Sequence, residues 1–112
     1  MKKLNLFGMK KDGERLEIII EKSQTFIPII QKIVKELAKD SSWFFKTEDK
    51  KTSDAIDEKI RDCTDKCEYK RCKDYELDIF VGKKRIILVI RTSVKNQEKF
   101  LDSLMKFYKW KK

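Results

Sequence analysis

Three cysteines are the residues best suited to metal or redox chemistry in this chain of 112 residues. Cys63, Cys67 and Cys72 lie close together, and cysteine thiolates bind zinc or form disulfides. A zinc site would need a fourth ligand, but their spacing matches no common zinc motif and the chain has no histidine. Cys63 and Cys67 are also one helical turn apart on an apolar stripe, which favours packing over a redox pair or a metal site. We therefore expect no bound metal and no cofactor.

Other catalytic chemistry lacks its usual residues. Without histidine there is no Ser-His-Asp triad, and no evident base accompanies a serine, threonine or cysteine. The three glycines form neither a phosphate-binding loop nor a dinucleotide fingerprint. Carboxylate pairs such as Asp57 and Glu58 are explained by their place in the first turn of a predicted helix. We expect a protein that is not an enzyme and binds no small-molecule substrate.

The charge balance indicates acidic partners instead. Lys and Arg total 28 against 19 for Asp and Glu, which gives a net charge of +9. A basic surplus of this size favours nucleic acid as a partner, although a lysine- and glutamate-rich solvated surface explains it equally well. The candidate nucleic-acid-binding residues follow a glycine turn or end the chain: Lys83, Lys84, Arg85, Lys109, Lys111 and Lys112.

The length and a hydrophobic content of 40% suit a single domain over residues 1–112, with an insertion at 40–74. No apolar run approaches the roughly 18 residues of a membrane span. The amino-terminal apolar run is too short and too quickly polar for a signal peptide. We therefore expect a cytoplasmic protein that does not bind a membrane.

The amino-terminal part of the chain predicts strands followed by a helix. Residues 4–9 form a candidate strand, and a glycine turn leads into the β-branched strand 14–21. Apolar residues at helical spacing then predict a helix from Ser23 or Thr25 to about Lys39. The isoleucine-rich face of this helix requires a sheet to pack against.

The middle of the chain shows no clear period. Trp43 begins an aromatic run that we expect to pack on the domain; exposed, the run would form an interaction patch. A solvated loop is predicted from Lys46 to Ser53. Ser53 then predicts the start of a second, peripheral helix that carries cysteines.

The carboxyl-terminal part gives the strongest signal. Residues 75–81 alternate, a glycine turn follows, and residues 85–91 return as a second strand. Thr92 or Ser93 then caps a final helix with apolar positions up to Tyr108. The predicted fold is α+β: a small antiparallel sheet with two long helices on one face, plus an inserted helical segment. The other face and the sheet edges then require a partner or a charged surface.

Two short motifs resemble those of DNA-processing proteins. Asp78 and the following strand resemble the core of PD-(D/E)xK nucleases, in which Asp and Glu-x-Lys hold a divalent metal and activate water. Here Val89 and Arg91 occupy the Glu and Lys positions, so an ordinary hairpin is the favoured interpretation. Residues 102–109 resemble the sliding-clamp-binding box, but Leu101 replaces its leading glutamine. Its three anchors coincide with the predicted core of the last helix: Leu104, Phe107 and Tyr108.

A longer resemblance covers residues 14–39 and 75–110. The hairpin at 75–91, followed by a helix ending Phe107-Tyr108-Lys109-Trp110, is similar to the Pcc family. The strand and helix at 14–39 resemble the first strand and helix of that family. Pcc proteins are small dimerising subunits of the KEOPS (EKC) complex, which helps install threonylcarbamoyladenosine on tRNA.

The resemblance implies a non-catalytic accessory subunit of the KEOPS complex. Because Leu101 and Met105 stand where the family usually has Arg and Asn, it implies a divergent paralogue. Such a paralogue would pair through its sheet with a regular Pcc-type subunit or with itself, and its basic residues would contact tRNA phosphates. The alternative is a stand-alone basic nucleic-acid-binding module. A sliding-clamp-binding protein or a degenerate nuclease fold is less favoured.

Overall fold

Six strands, two helices of 12 residues and a shorter helical segment make up the described part of the computed structural model, which is residues 2–52, 54–55 and 74–111. The short segment has helical backbone at 50–52 and 54–55. The other elements in chain order are β1 (Leu4–Asp12), β2 (Arg15–Glu21), α1 (Phe26–Leu37), β3 (Trp43–Thr47), β4 (Tyr75–Val81), β5 (Arg85–Arg91), α2 (Val94–Met105) and β6 (Tyr108–Trp110).

The strands form one mixed sheet in the order β3-β4-β5-β2-β1-β6. The four central strands pair antiparallel, but β3 runs parallel to β4 and β6 runs parallel to β1. The prediction of an antiparallel sheet is therefore correct for the centre and wrong at both edges. Each edge strand follows a helix that carries the chain back along the sheet, so it runs in the same direction as the strand before that helix.

Both edge strands lie where the sequence predicts other structure. Strand β3 falls in the aromatic run and the predicted loop, and β6 covers residues predicted as the end of the last helix. Trp43 is buried, as predicted, and its ring stacks on Tyr75 with 4.0 Å between centroids. The last helix ends at Met105, so Tyr108 enters the core from a strand instead. Strands of five and three residues offer too few positions to show a reliable period.

The two predicted long helices are present and contribute to the same core. Thr25 is the N-cap of α1, but its hydroxyl makes a hydrogen bond with that of Ser23 and none with the first turn, and Pro28 lies in that turn, where its missing N–H costs little. At the start of α2, the Ser93 hydroxyl accepts a hydrogen bond from the backbone N–H of Asn96. No helix in the described ranges is long and apolar enough to cross a membrane.

One face of the sheet packs against α1 and α2. Alternate strand residues point to this face, and each buried apolar side chain contributes roughly 1.5–3 kcal/mol. None of the described helices covers the opposite face, which we call the open face. The core under the helices includes Leu16, Ile18, Ile20, Leu77, Ile79, Ile86, Leu88 and Ile90 from the strands and Ile30, Ile33, Val34, Phe100 and Leu104 from the helices.

The first regular element of the insertion is strand β3, in a stretch for which the sequence shows no clear period. Helical backbone starts at residue 50, before Ser53, and the Asp49 carboxylate accepts a hydrogen bond from the backbone N–H of Thr52 at 3.3 Å. The prediction of a loop from Lys46 to Ser53 is therefore correct at residues 48–49 and wrong at 46–47 and 50–52, while Ser53 lies outside the described residues. The rest of the predicted peripheral helix lies outside the described residues, together with Cys63, Cys67 and Cys72.

Candidate nucleic-acid interface

A row of apolar side chains crosses the open face of the sheet. Phe80 of β4 lies beside Ile87 of β5, which lies beside Ile19 of β2. Phe80 is 41% exposed, and both isoleucines are half-buried. A strand with one face in water normally has polar residues at such positions. The row therefore indicates a surface that contacts a partner.

Phe7 of β1 extends this row and lies close to two basic side chains. The register of β1 on β2 shifts between Leu6 and Gly8, and this β-bulge alters the alternation at Phe7. The Arg85 guanidinium reaches across β2 to within 4.5 Å of the Phe7 ring centroid, and the Lys111 ammonium lies 5.2 Å from it. Cation–π contacts of about 0.5–1 kcal/mol at exposed sites favour this arrangement.

The turn between β4 and β5 places basic residues at the end of the row. Lys83, Lys84 and Arg85 are exposed and line a shallow depression together with Phe80. The backbone N–H of Gly82 donates to the Arg85 carbonyl at 2.9 Å, and a Cβ on Gly82 would lie 2.9 Å from that same oxygen. The turn therefore requires glycine, and its geometry holds the three basic residues in place.

Lys22 makes two hydrogen bonds to this turn, and it is not among the site residues predicted from the sequence. Its Nζ donates to the Gly82 carbonyl at 3.0 Å, and its backbone N–H donates to the Lys84 carbonyl at 3.2 Å. Lys22 precedes Gly82 by 60 residues, so no local pattern connects the two. The contact appears only because β2 pairs with β5.

We call the resulting surface the open-face patch; its members are Phe7, Ile19, Phe80, Ile87, Lys83, Lys84, Arg85 and Lys111. The structure thus brings together four of the six predicted basic residues. Lys109 is exposed on the edge strand β6, next to buried Tyr108, and Lys112 lies outside the described residues. The apolar members were not predicted as site residues. Ile19, Phe80 and Ile87 could have been found in the sequence, because they are apolar residues that alternate along the strands with the core residues.

Ion pairs neutralise the other end of the open face. Arg91 lies 3.5 Å from the Asp78 carboxylate and 3.9 Å from that of Glu76. Arg15 lies 3.6 Å from the Glu17 carboxylate. Such exposed pairs contribute only about 0–1 kcal/mol each to stability, but they cancel charge locally. By contrast, none of the ion pairs among the described residues involves Lys83, Lys84, Arg85 or Lys111 of the open-face patch.

The pairing of β4 with β5 places Asp78 as the resemblance to a nuclease core predicts, but the side chains beside it cannot bind a metal or act as a base. Asp78 lies directly beside Val89, and the Asp78 carboxylate pairs with Arg91. Valine supplies no ligand atom, and an arginine side chain does not give up its proton. Within the described ranges, no group of three or more cysteine, aspartate or glutamate residues could hold a metal ion.

The residues that resemble a sliding-clamp-binding box belong mainly to the core. Leu104 and Tyr108 are 0% exposed, and Phe107 is half-buried with the Lys32 ammonium 5.6 Å from its ring centroid. The packing interpretation is therefore confirmed for Leu104 and Tyr108. In this fold, neither is accessible as a docking anchor.

Next to Phe80, on the side away from the basic turn, the surface carries two acidic residues. Glu48 and Asp49 line the surface next to Phe80 and Val81. A hydrogen bond from the Thr52 hydroxyl lowers the pKa of the Asp49 carboxyl, so this group stays ionised at neutral pH. A polyanion that approaches Phe80 is therefore repelled on this side and attracted on the side of the basic turn.

The open-face patch combines two kinds of group that bind nucleic acids. Aromatic ring faces stack on unpaired bases, and lysine and arginine bind phosphates. No protein-family model, curated protein or solved structure matches this chain. The chemistry of the patch is therefore the basis for the function proposed below.

Proposed function

We propose that this protein is a non-catalytic module that binds single-stranded nucleic acid through the open-face patch. The observation that carries the proposal is the cluster of Phe7, Arg85 and Lys111 on a face that the described helices leave uncovered. Phe80 provides an exposed ring beside the basic turn, whereas the Phe7 ring is half-buried. Rings on a sheet surface stack on unpaired bases, while basic groups follow the phosphates.

The dimensions of the patch suit a short stretch of strand. Phe7 and Phe80 lie on strands separated by β2 and β5, and neighbouring strands are about 4.8 Å apart. The two rings are thus separated by roughly three strand spacings, about 14 Å. RNA-binding sheets of comparable width stack about two or three bases. Because a duplex hides its base faces, we expect the patch to prefer single strands.

Fluorescence anisotropy with labelled oligouridine of about ten nucleotides tests this proposal, with an RNA duplex and a DNA single strand of equal length as comparisons. We expect the single strands to bind more tightly than the duplex. We also expect the affinity to fall steeply between about 50 and 200 mM salt, because lysine and arginine contacts release counterions. An affinity that is independent of salt, or a preference for the duplex, would contradict the proposal.

A second proposal is that the chain is an accessory subunit of the KEOPS complex that pairs with a Pcc-type subunit or with itself. The observation that favours it is the arrangement of the elements in the resembling stretches. Strand β2 pairs antiparallel with β5 of the β4–β5 hairpin, and α1 and α2 share one core on one side of these strands. In that assembly, the open-face patch would contact tRNA phosphates.

Co-purification from the native cell tests the second proposal. The expected result is recovery of a Pcc-type subunit together with other KEOPS components. Recovery of the chain without any KEOPS component would contradict it. Sedimentation of the pure chain distinguishes a homodimer from a heterodimer, since only the former assembles without a second protein.

A further inference from the structure

A groove with an apolar floor lies on the helix side of the sheet, where the start of β1, the first turns of α1 and the end of α2 meet. The floor consists of Leu4, Pro28, Ile29 and Phe107. Leu4, Ile29 and Phe107 are partly buried against the core, so the floor is held in place by the fold itself. A partner side chain could therefore be buried there without prior rearrangement of the domain.

Four lysines surround this floor: Lys2, Lys3, Lys32 and Lys106. The Lys106 ammonium lies 3.0 Å from the Glu36 carboxylate, and that of Lys3 donates to the Met105 carbonyl at 3.0 Å. No acidic residue lines the groove, and none of the ion pairs among the described residues involves Lys2 or Lys32. The groove therefore keeps a local excess of positive charge.

We propose that this surface, the lysine groove, docks an acidic peptide segment of a partner protein, with an apolar side chain on the floor and carboxylates against the lysines. Charge complementarity selects an acidic partner, and the apolar floor selects one that also carries an apolar anchor. A peptide fits better than a nucleic acid because three of the four floor residues, Leu4, Pro28 and Ile29, are not aromatic and give a base no ring to stack on.

The lysine groove and the open-face patch lie on opposite sides of the sheet. Leu4 lies two residues before Leu6 on β1 and therefore faces the same side of the sheet, where Leu6 is buried in the core under the helices. Phe80 and Ile87 instead lie on the open face. Occupation of one surface therefore leaves the other accessible. The inference does not depend on the proposed nucleic-acid function, and the two surfaces can be tested with different probes.

Anisotropy of a labelled peptide with the full chain tests the inference. The probe is a peptide of about twelve residues in which two leucines and a phenylalanine are spaced among glutamates. A peptide with serines in place of these three apolar residues has the same charge and serves as its control. We expect the first peptide to bind at least about tenfold more tightly, because only it can bury side chains on the floor. Equal binding of the two peptides would overturn the proposal.

Charge reversal locates the binding site. We expect the double variant Lys2→Glu, Lys32→Glu to weaken peptide binding by about tenfold, since two attractive contacts become repulsive. The matched control is Lys35→Glu, Lys39→Glu, which changes the net charge equally with exposed lysines that do not line the groove. Circular dichroism verifies that both variants are folded. Equal weakening by the two variants would show a non-specific charge effect and would overturn the proposal.

Labelled oligouridine provides the last arm of the test. We expect the groove variant to bind it as the control variant does, because the groove is not part of the open-face patch. If only the groove variant loses oligouridine binding, the groove belongs to a nucleic-acid surface and the peptide proposal is overturned. Failure of the open-face patch to bind nucleic acid would leave the peptide measurements unaffected.

Discussion

Ile87 and Leu88 are neighbours on β5 but face opposite sides of the same sheet. Leu88 is 0% exposed beneath the helices, whereas Ile87 is half-buried on the open face beside Phe80. Both residues lie in the same strand, and strand propensity does not specify which face a residue occupies, so it does not distinguish their roles. The comparison teaches that one continuous apolar run supplies the core at alternate positions and, at Ile87, part of a candidate binding surface.

The substitution Leu88→Ala has the largest expected effect. We expect it to lower the free energy of unfolding by about 2–5 kcal/mol, because it leaves a cavity in a closed core. Ile87→Ala is the matched change on the open face and should cost about 1 kcal/mol or less, since water can fill the space. Urea unfolding followed by circular dichroism measures both. Equal losses would show that the two faces are equally enclosed.

Phe80→Ala is expected to weaken binding while leaving the core intact. Loss of one stacking ring should cost about 1–3 kcal/mol, or roughly 5- to 150-fold in the Kd for single-stranded RNA. Val94→Ala removes another exposed apolar side chain from the start of α2 and should leave the Kd unchanged. An unchanged Kd in the Phe80 variant would place the bound strand outside the open-face patch.

The double substitution Lys83→Ala, Lys84→Ala tests the charge of the open-face patch. Each lost phosphate contact to a single strand reduces the slope of log K against log salt by about 0.7, so we expect a total reduction of about 1.4. Lys35→Ala, Lys39→Ala removes two exposed lysines from the end of α1 and its following turn and should keep the wild-type slope. The same slope for both double variants would argue against phosphate contacts at the turn.

Tyr108→Phe is expected to have the smallest effect at neutral pH. The buried Tyr108 hydroxyl has no hydrogen-bond partner among the described residues, so its removal should change stability by less than about 1 kcal/mol. A larger loss of stability would indicate that this hydroxyl is paired in solution.

The same variant has a distinct effect at high pH. Burial raises the pKa of Tyr108 above its usual range and raises that of Tyr75 to about 12. Burial favours the neutral phenols of Tyr75 and Tyr108. Their contribution to the free energy of unfolding is therefore complete below pH about 10 and is lost as the pH rises through their pKa values in the folded protein. Melting temperatures above pH about 10 should therefore fall less steeply for Tyr108→Phe than for the wild type. Melting temperatures that fall equally steeply with pH for the variant and the wild type would contradict this expectation.

The longer elements could be predicted because their signals are local. The two strands of the β4–β5 hairpin and the starts of both long helices follow from alternation, helical spacing and the Ser93 cap. Strands β3 and β6 could not be predicted, since each is short and is stabilised by a neighbour distant in sequence. Trp43 pairs with Tyr75, and Leu4 pairs with Tyr108.

The candidate site was predictable in part. Its basic residues stand out after Gly82 and near the end of the chain, and the structure places Lys83, Lys84, Arg85 and Lys111 in one patch. The role of Phe7 depends on a β-bulge and on Arg85 reaching across an intervening strand. Neither feature has a signal in the residues around Phe7, so Phe7 could not be predicted, whereas Phe80 could be read from its alternation with the core residues of β4.

By itself, the sequence determined the α+β class, the central hairpin and the surplus of positive charge, because periodicity, turn chemistry and composition are properties of neighbouring residues. Only the tertiary structure decided the order of the strands, the parallel edges and the arrangement of cations around Phe7. Strand pairing between distant segments depends on the total apolar area that the whole chain buries, and this total cannot be read from any short stretch of the sequence.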